Sequence, residues 1–187
     1  SVRCIMNNVP LHRLLILACS ATKRSRPGWI PAVDRYDGPL WQTLRAIGPD
    51  RRDTKVAVLS ARYGFIDSRS PIENYDTRLT TALAERMIEG GTAMRWPRPP
   101  SPRKPDIYGN YATCEIASLT DHGERPFTEI GLAGGHLYLR VMRSFVSEFR
   151  GRNYVAADAP ITEINAPIGI MRRDLRVWLE HGEGDLP

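Results

Sequence analysis

Two stretches of the chain are apolar without interruption, and each ends in small polar residues. Leu14-Leu-Ile-Leu-Ala-Cys19 runs into Ser20, and Lys55-Val-Ala-Val-Leu-Ser-Ala61 runs into a long polar segment that continues to Asp76. A strand with one wet face alternates apolar and polar positions, whereas a strand covered on both faces reads as a continuous apolar run. Both stretches therefore predict buried strands. Residues 127–132 predict a third strand, ahead of Ala133-Gly134-Gly135, and residues 154–157 a short fourth.

Between these runs the period changes. Leu137, Val141, Phe145 and Phe149 recur every four residues with Leu139, Met142 and Val146 beside them, which predicts a helix over 136–149. Pro39 suits the first turn of a helix reaching about residue 47, with Asp37 or Gly38 as its cap. Gly90-Gly91 closes a helix over 80–89, and residues 170–181 form the last one. Strands alternating with helices predict a parallel sheet covered on both sides. The expectation is a single three-layer α/β/α domain over residues 1–187, with a central, mainly parallel sheet of about four strands.

Residues 91–106 break the pattern. Arg95-Trp-Pro-Arg-Pro-Pro-Ser-Pro-Arg-Lys-Pro105 carries too many prolines for a helix or a central strand. It predicts an extended basic loop inserted in the domain: either a solvated linker or an arm along a phosphate backbone, with Trp96 stacking on a base or packing beneath the arm.

Composition narrows the class. With 42% hydrophobic and 25% charged residues the chain has an ordinary globular balance, and no apolar run approaches the ~18 residues of a membrane span. The first 13 residues lack the features of a signal peptide, so a cytoplasmic protein is expected. Cys4, Cys19 and Cys114 are scattered and share no ligand spacing with the four histidines, so neither a disulfide framework nor a metal site is expected, and no cofactor motif is present. The formal charge is +5, and arginine greatly outnumbers lysine among the 26 basic residues. Guanidinium forks suit phosphate, so Lys23, Arg24 and Arg26 in one loop and Arg95, Arg98, Arg103 and Lys104 in another predict a polyanionic partner, double-stranded DNA. A monomer is expected.

In open parallel sheets ligands bind outside the carboxyl ends of the strands. That rule places Cys19, Ser20, Ser60, Tyr63, Gly134 and Gly135 around one cleft. Small side chains at Cys19-Ser-Ala-Thr-Lys23 let the backbone approach a ligand, with Lys23 supplying charge; Cys19 itself reads as a buried thiol rather than a nucleophile. Tyr36 and Tyr63 are candidates to stack on a base. The segment from Leu59 through Glu73-Asn-Tyr75-Asp76 gathers tyrosines and carboxylates after a buried strand, where catalytic groups collect. Cleaving an N-glycosidic bond requires a carboxylate to stabilise oxocarbenium character or activate water, and an aromatic face for the extruded base. Asp76 is the favoured carboxylate and Glu73 the second. Gly134-Gly135-His136 opens a helix whose free amides suit an anion or a polar base edge.

As an ordered set, Cys19, Ser20, Lys23, Pro31, Ala32, Tyr36, Pro39, Ser60, Tyr63, Gly64, Asp67, Glu73, Tyr75 and Asp76 resemble a family of small bacterial and phage proteins related to the uracil-DNA glycosylase superfamily. The resemblance covers about the first 80 residues. It also extends to antiphage DNA glycosylases that remove glucosylated hydroxymethylcytosine from phage DNA. It implies a uracil-DNA glycosylase-like fold, a flipped modified base and an abasic product. The superfamily's water-activating Asp after the first strand and its His-Pro-Ser loop are absent, and Lys23 stands in the first of these loops. The alternatives are a base-modifying transferase of phage DNA hypermodification and a non-catalytic DNA-binding protein.

Neutralising Arg98, Arg103 and Lys104 together is expected to flatten the slope of log affinity for duplex DNA against log salt by about one per lost phosphate contact. An unchanged slope in a salt titration marks the proline-rich segment as a linker.

Overall fold

The structure, a computed structural model, describes residues 10–98 and 111–181. It is mixed α/β. In chain order the elements are β1 (Arg13–Ala18), β2 (Ile30–Pro31), α1 (Ala32–Arg35), α2 (Pro39–Ile47), β3 (Thr54–Ser60), β4 (Gly64–Asp67), β5 (Pro71–Ile72), α3 (Thr81–Gly90), β6 (Trp96–Pro97), β7 (Tyr111–Ala112), α4 (Ile116–Leu119), β8 (Glu129–Ala133), α5 (His136–Gly151), β9 (Ile161–Ile164) and α6 (Ile168–His181). The central sheet has five strands in the order β4-β3-β1-β8-β9. All its pairings are parallel except β3–β4, an antiparallel hairpin.

Strand β1 lies between β3 and β8, and its residues alternate between two cores. Leu14 and Ile16 pack with Leu83 and Met87 of α3, Ile116 of α4 and Val141, Phe145 and Phe149 of α5. Leu15 and Leu17 pack with Ala32 of α1, Trp41 and Leu44 of α2, and Leu175 and Trp178 of α6. This two-sided burial is why β1 and β3 read as unbroken apolar runs. Two tryptophans need glycines in facing strands. A Cβ on Gly131 would lie 2.7 Å from the Trp178 ring, and one on Gly64 would lie 2.5 Å from Trp96.

The start of β1 carries an arginine with no exposure. Arg13 pairs in register with Glu129 of β8, donates to its carboxylate at 2.9 Å and to the Trp178 carbonyl at 2.5 Å, and lies 3.7 Å over the Trp178 ring. Burying a cation is costly unless it is paired and hydrogen-bonded, and these contacts meet that condition.

Four expectations are corrected. The sheet has five strands, because residues 64–67 form β4 rather than part of a loop: Gly64, at φ +70°, turns the chain back and Phe65 and Ile66 are buried against β3. The fourth parallel strand is β9, while residues 154–157 contribute only a single bridge, Phe127 to Val155. The third strand starts later than expected, at Glu129. Trp96 is 6% exposed and belongs to the core, so its ring is not free to stack on a base. The expected insertion over 91–106 lies partly outside the described residues; within it β6 pairs antiparallel with β7, which lies beyond it. Among the described residues no helix is long and apolar enough to cross a membrane.

His12, immediately before β1, is buried against Phe127, with ring centroids 4.3 Å apart, and its Nδ1 lies 2.8 Å from the Arg125 carbonyl. Burial holds its imidazole below the usual histidine pKa, with the Arg125 and Lys55 charges acting in the same direction. A histidine depressed in the folded state contributes stability that is complete above its unfolded pKa of about 6.5 and is lost as pH falls through the folded value. Denaturation measured from pH 7 downward is expected to show stability falling below about 6.5. His12→Gln, which can still donate to Arg125 but binds no proton, is expected to flatten that part of the profile.

Candidate functional site

The carboxyl ends of β1 and β8 open into a cavity of about 300 Å³ whose lining includes Cys19, Ser20, Gly38, Trp41, Gly135 and Tyr138. The chain approaches itself closely there. Cys19 extends the ladder by donating its amide to Leu59, and Trp41 donates its indole N–H to the Ala18 carbonyl at 3.0 Å. A Cβ on Gly38 would lie 2.3 Å from Ser20 Oγ, and one on Gly134 would lie 2.8 Å from the Ala18 Cβ. Only glycine permits these approaches at both loops.

Two helices start at the cavity. Gly38 caps α2 and Gly135 caps α5, neither by a side chain, and neither first turn carries an acidic residue. Asp37, expected as a possible cap, instead pairs with Arg45 and lies 3.8 Å from Arg24. The positive ends of both helices, with their unpaired amides, are thus left without a side-chain anion. Electrostatically the cavity favours an acceptor-rich ligand.

Beside the cavity lies a chain of hydroxyls. Tyr36 and Tyr75 share a hydrogen bond of 2.6 Å, and Tyr75 and Ser60 one of 2.9 Å. Ser60 Oγ also accepts from the amides of Arg62 and Tyr63, which fixes the turn between β3 and β4. With both lone pairs taken by amides, the Ser60 hydroxyl donates its proton to Tyr75. Burial pushes the phenols of Tyr36, Tyr75 and Tyr138 well above their usual range. All three act as neutral hydroxyls. Tyr138, on the first turn of α5, lies 3.1 Å from Cys19 Sγ.

Lys23 completes the cluster. Its backbone bridges Tyr36, and its Nζ lies 4.2 Å from the Tyr75 ring centroid and 6.0 Å from that of Tyr36. Burial holds its ammonium below the usual lysine range, opposed by the charge of Asp76, which is itself exposed. The loop carrying Lys23 is held by Arg35, which has no exposure and donates to the carbonyls of Arg24, Arg26 and Gly28, each at 2.7 Å.

The sequence-predicted residues thus separate into groups. Cys19, Ser20, Gly134 and Gly135 line the cavity; Lys23, Tyr36, Ser60 and Tyr75 come together in the hydroxyl cluster, and Asp76 is exposed and reaches Lys23 only through its charge. The expectation that Tyr36 or Tyr63 offers a face to a base is corrected: they are 0% and 3% exposed, and Tyr63 packs edge-on against Tyr75. Glu73 is exposed and makes none of the cluster's contacts, and exposed His136 opens α5 without lining the cavity. Arg26 is exposed, Arg24 is half-buried beside Asp37, and Arg98 lies near the carboxylate of Glu115. Arg103 and Lys104 lie outside the described residues. Tyr138, Trp41 and Met171 were missed. A tyrosine three residues past Gly135 was the available signal for the first, since the opening turn of a helix faces whatever lies at its N-terminus.

No family model, no curated protein and no solved structure matches the chain.

Tyr75→Phe removes the hydroxyl joining Ser60 to Tyr36, both of which have no exposure. A buried hydroxyl that loses its partner costs about 1–3 kcal/mol. Urea unfolding is expected to show a lower midpoint at an unchanged slope, because the surface exposed on unfolding stays the same.

Proposed function

We propose that the chain is a DNA glycosylase that hydrolyses the N-glycosidic bond of a modified base and leaves an abasic site. The observation that carries this reading is the cavity at the carboxyl ends of β1 and β8, walled by Cys19, Ser20 and the starts of α2 and α5, with Lys23 half-buried at the neighbouring hydroxyl cluster. A flipped nucleotide needs a pocket for its base, donors for the base edge, and a charge against the positive character that develops at C1′. The cavity is large enough for a base. The free amides at the starts of α2 and α5 supply donors, with Ser20 and Cys19 on the wall. Asp76 supplies the negative charge that stabilises the oxocarbenium-like transition state. The exposed cationic loop around Arg26 steers the duplex.

The helices packed on each side of the sheet support a three-layer α/β/α reading of uracil-DNA glycosylase type. In this proposal the partner is double-stranded DNA, with glucosylated hydroxymethylcytosine of phage DNA as the candidate base. The protein acts as a cytoplasmic monomer without a cofactor, in antiphage defence.

Replacing Asp76 by Asn keeps the shape of the side chain and removes its charge. Single-turnover base release is expected to fall about a hundredfold to ten-thousandfold, or roughly 3–5 kcal/mol of transition-state stabilisation, with DNA binding unchanged. Glu73→Gln is expected to stay within a few-fold of the parent. Alkali-sensitive strand breaks in modified phage DNA report the reaction. New base masses without release identify a transferase, and a mobility shift without chemistry identifies a binding protein.

A further inference from the structure

The chain contains three lysines, Lys23, Lys55 and Lys104, among 26 basic residues. Arginine supplies most of the positive charge in this chain, and arginine cannot lose its proton to become a nucleophile. Lysine can. Of the two lysines among the described residues, Lys23 is the one placed at the hydroxyl cluster, half-buried, with its Nζ 4.2 Å over Tyr75. Its backbone is pinned on both sides, by the bridge to Tyr36 and by Arg24 N–H donating to the Arg35 carbonyl at 2.8 Å. The amine is therefore delivered from a fixed strand-like segment rather than from a loose loop tip. Lys55 lies instead near the opposite end of the sheet, at the start of β3.

Resting on the glycosylase reading, we propose that Lys23 is a covalent nucleophile that attacks the deoxyribose C1′, forms an imine with it and cleaves the strand at the resulting site. The depressed basicity imposed by burial raises the fraction of free amine available for this step. As the Nζ–C1′ bond forms, the C1′–base bond breaks and its electron pair leaves with the base. Opening of the sugar ring then places an electron pair on O4′ and leaves a C1′=N iminium. The base and O4′ each take up one proton, one from the amine and one from solvent. Loss of a C2′ proton to the Asp76 carboxylate and departure of the 3′-phosphate with the C3′–O electron pair cut the strand. Water hydrolyses the iminium and returns the free amine.

The test uses the full chain and two DNAs. A duplex oligonucleotide with one abasic site offers the C1′ aldehyde directly, and borohydride supplies hydride to reduce any imine to a stable secondary amine. The expected result is a cross-linked species whose adduct maps to Lys23 by peptide mass. It disappears in Lys23→Arg and persists in Lys55→Arg, with unfolding midpoints compared to establish that both variants fold. No cross-link, or an adduct only on Lys55, Lys104 or the terminal amine, overturns the proposal. Base release from glucosylated phage DNA is followed in parallel. Release without a trapped adduct overturns the nucleophile and leaves the glycosylase reading standing, with water as the attacking group. A Lys23 adduct with the abasic duplex and no base release from any DNA overturns the glycosylase reading and leaves a lyase acting on abasic sites.

Discussion

Strand β1 has no face turned to water, and the rest of the molecule is arranged around that constraint. Its even and odd residues enter separate cores, and its neighbours β3 and β8 take up its backbone groups on both edges. A strand so enclosed has room for polar chemistry only where it ends. At its amino end the solution is structural: Arg13 is neutralised by Glu129 and covered by Trp178. At its carboxyl end the chain leaves the sheet through Cys19 and Ser20, and the cavity lies there. The two ends of one strand thus separate stability from candidate chemistry.

The hydroxyl cluster links elements far apart in sequence. Ser60 ends β3, Tyr36 follows α1 and Tyr75 lies in the segment after β5, yet one hydrogen-bonded chain runs through all three. Such networks strengthen when fully satisfied and are costly when half-made, so the cluster rigidifies the ground on which Lys23 rests.

Much of this was legible in the residues because two-sided burial leaves a plain trace. The apolar runs of β1 and β3 and the four-residue spacing in α5 are direct consequences of packing. β4 left a weaker trace: four residues next to a glycine look like a loop unless the antiparallel return onto β3 is known. β9 is an exposed edge whose Thr162 and Glu163 face water, so it lacks the apolar signature that singled out the other strands. For the site, proximity to strand ends brought Cys19 and Gly134 to the cavity wall, since that rule depends only on topology, whereas Ser60, expected there too, is buried in the hydroxyl cluster. It could not say which way a ring turns. Tyr36 and Tyr63 carry the chemistry of base-stacking residues, but their burial is decided by how the chain folds Trp41 and Tyr75 onto them, which no spacing in the sequence announces.

The hold of Arg35 on the loop before it has a consequence for how this protein can change over generations. Every contact Arg35 makes there is to a main-chain carbonyl, of Arg24, Arg26 and Gly28. A grip that reads only backbone is indifferent to the side chains it passes. The outward-facing residues of this loop can therefore be exchanged while its path, and the position of Lys23 upon it, stays as it is. Shape is inherited from one buried guanidinium, and the exposed surface is left free to diversify.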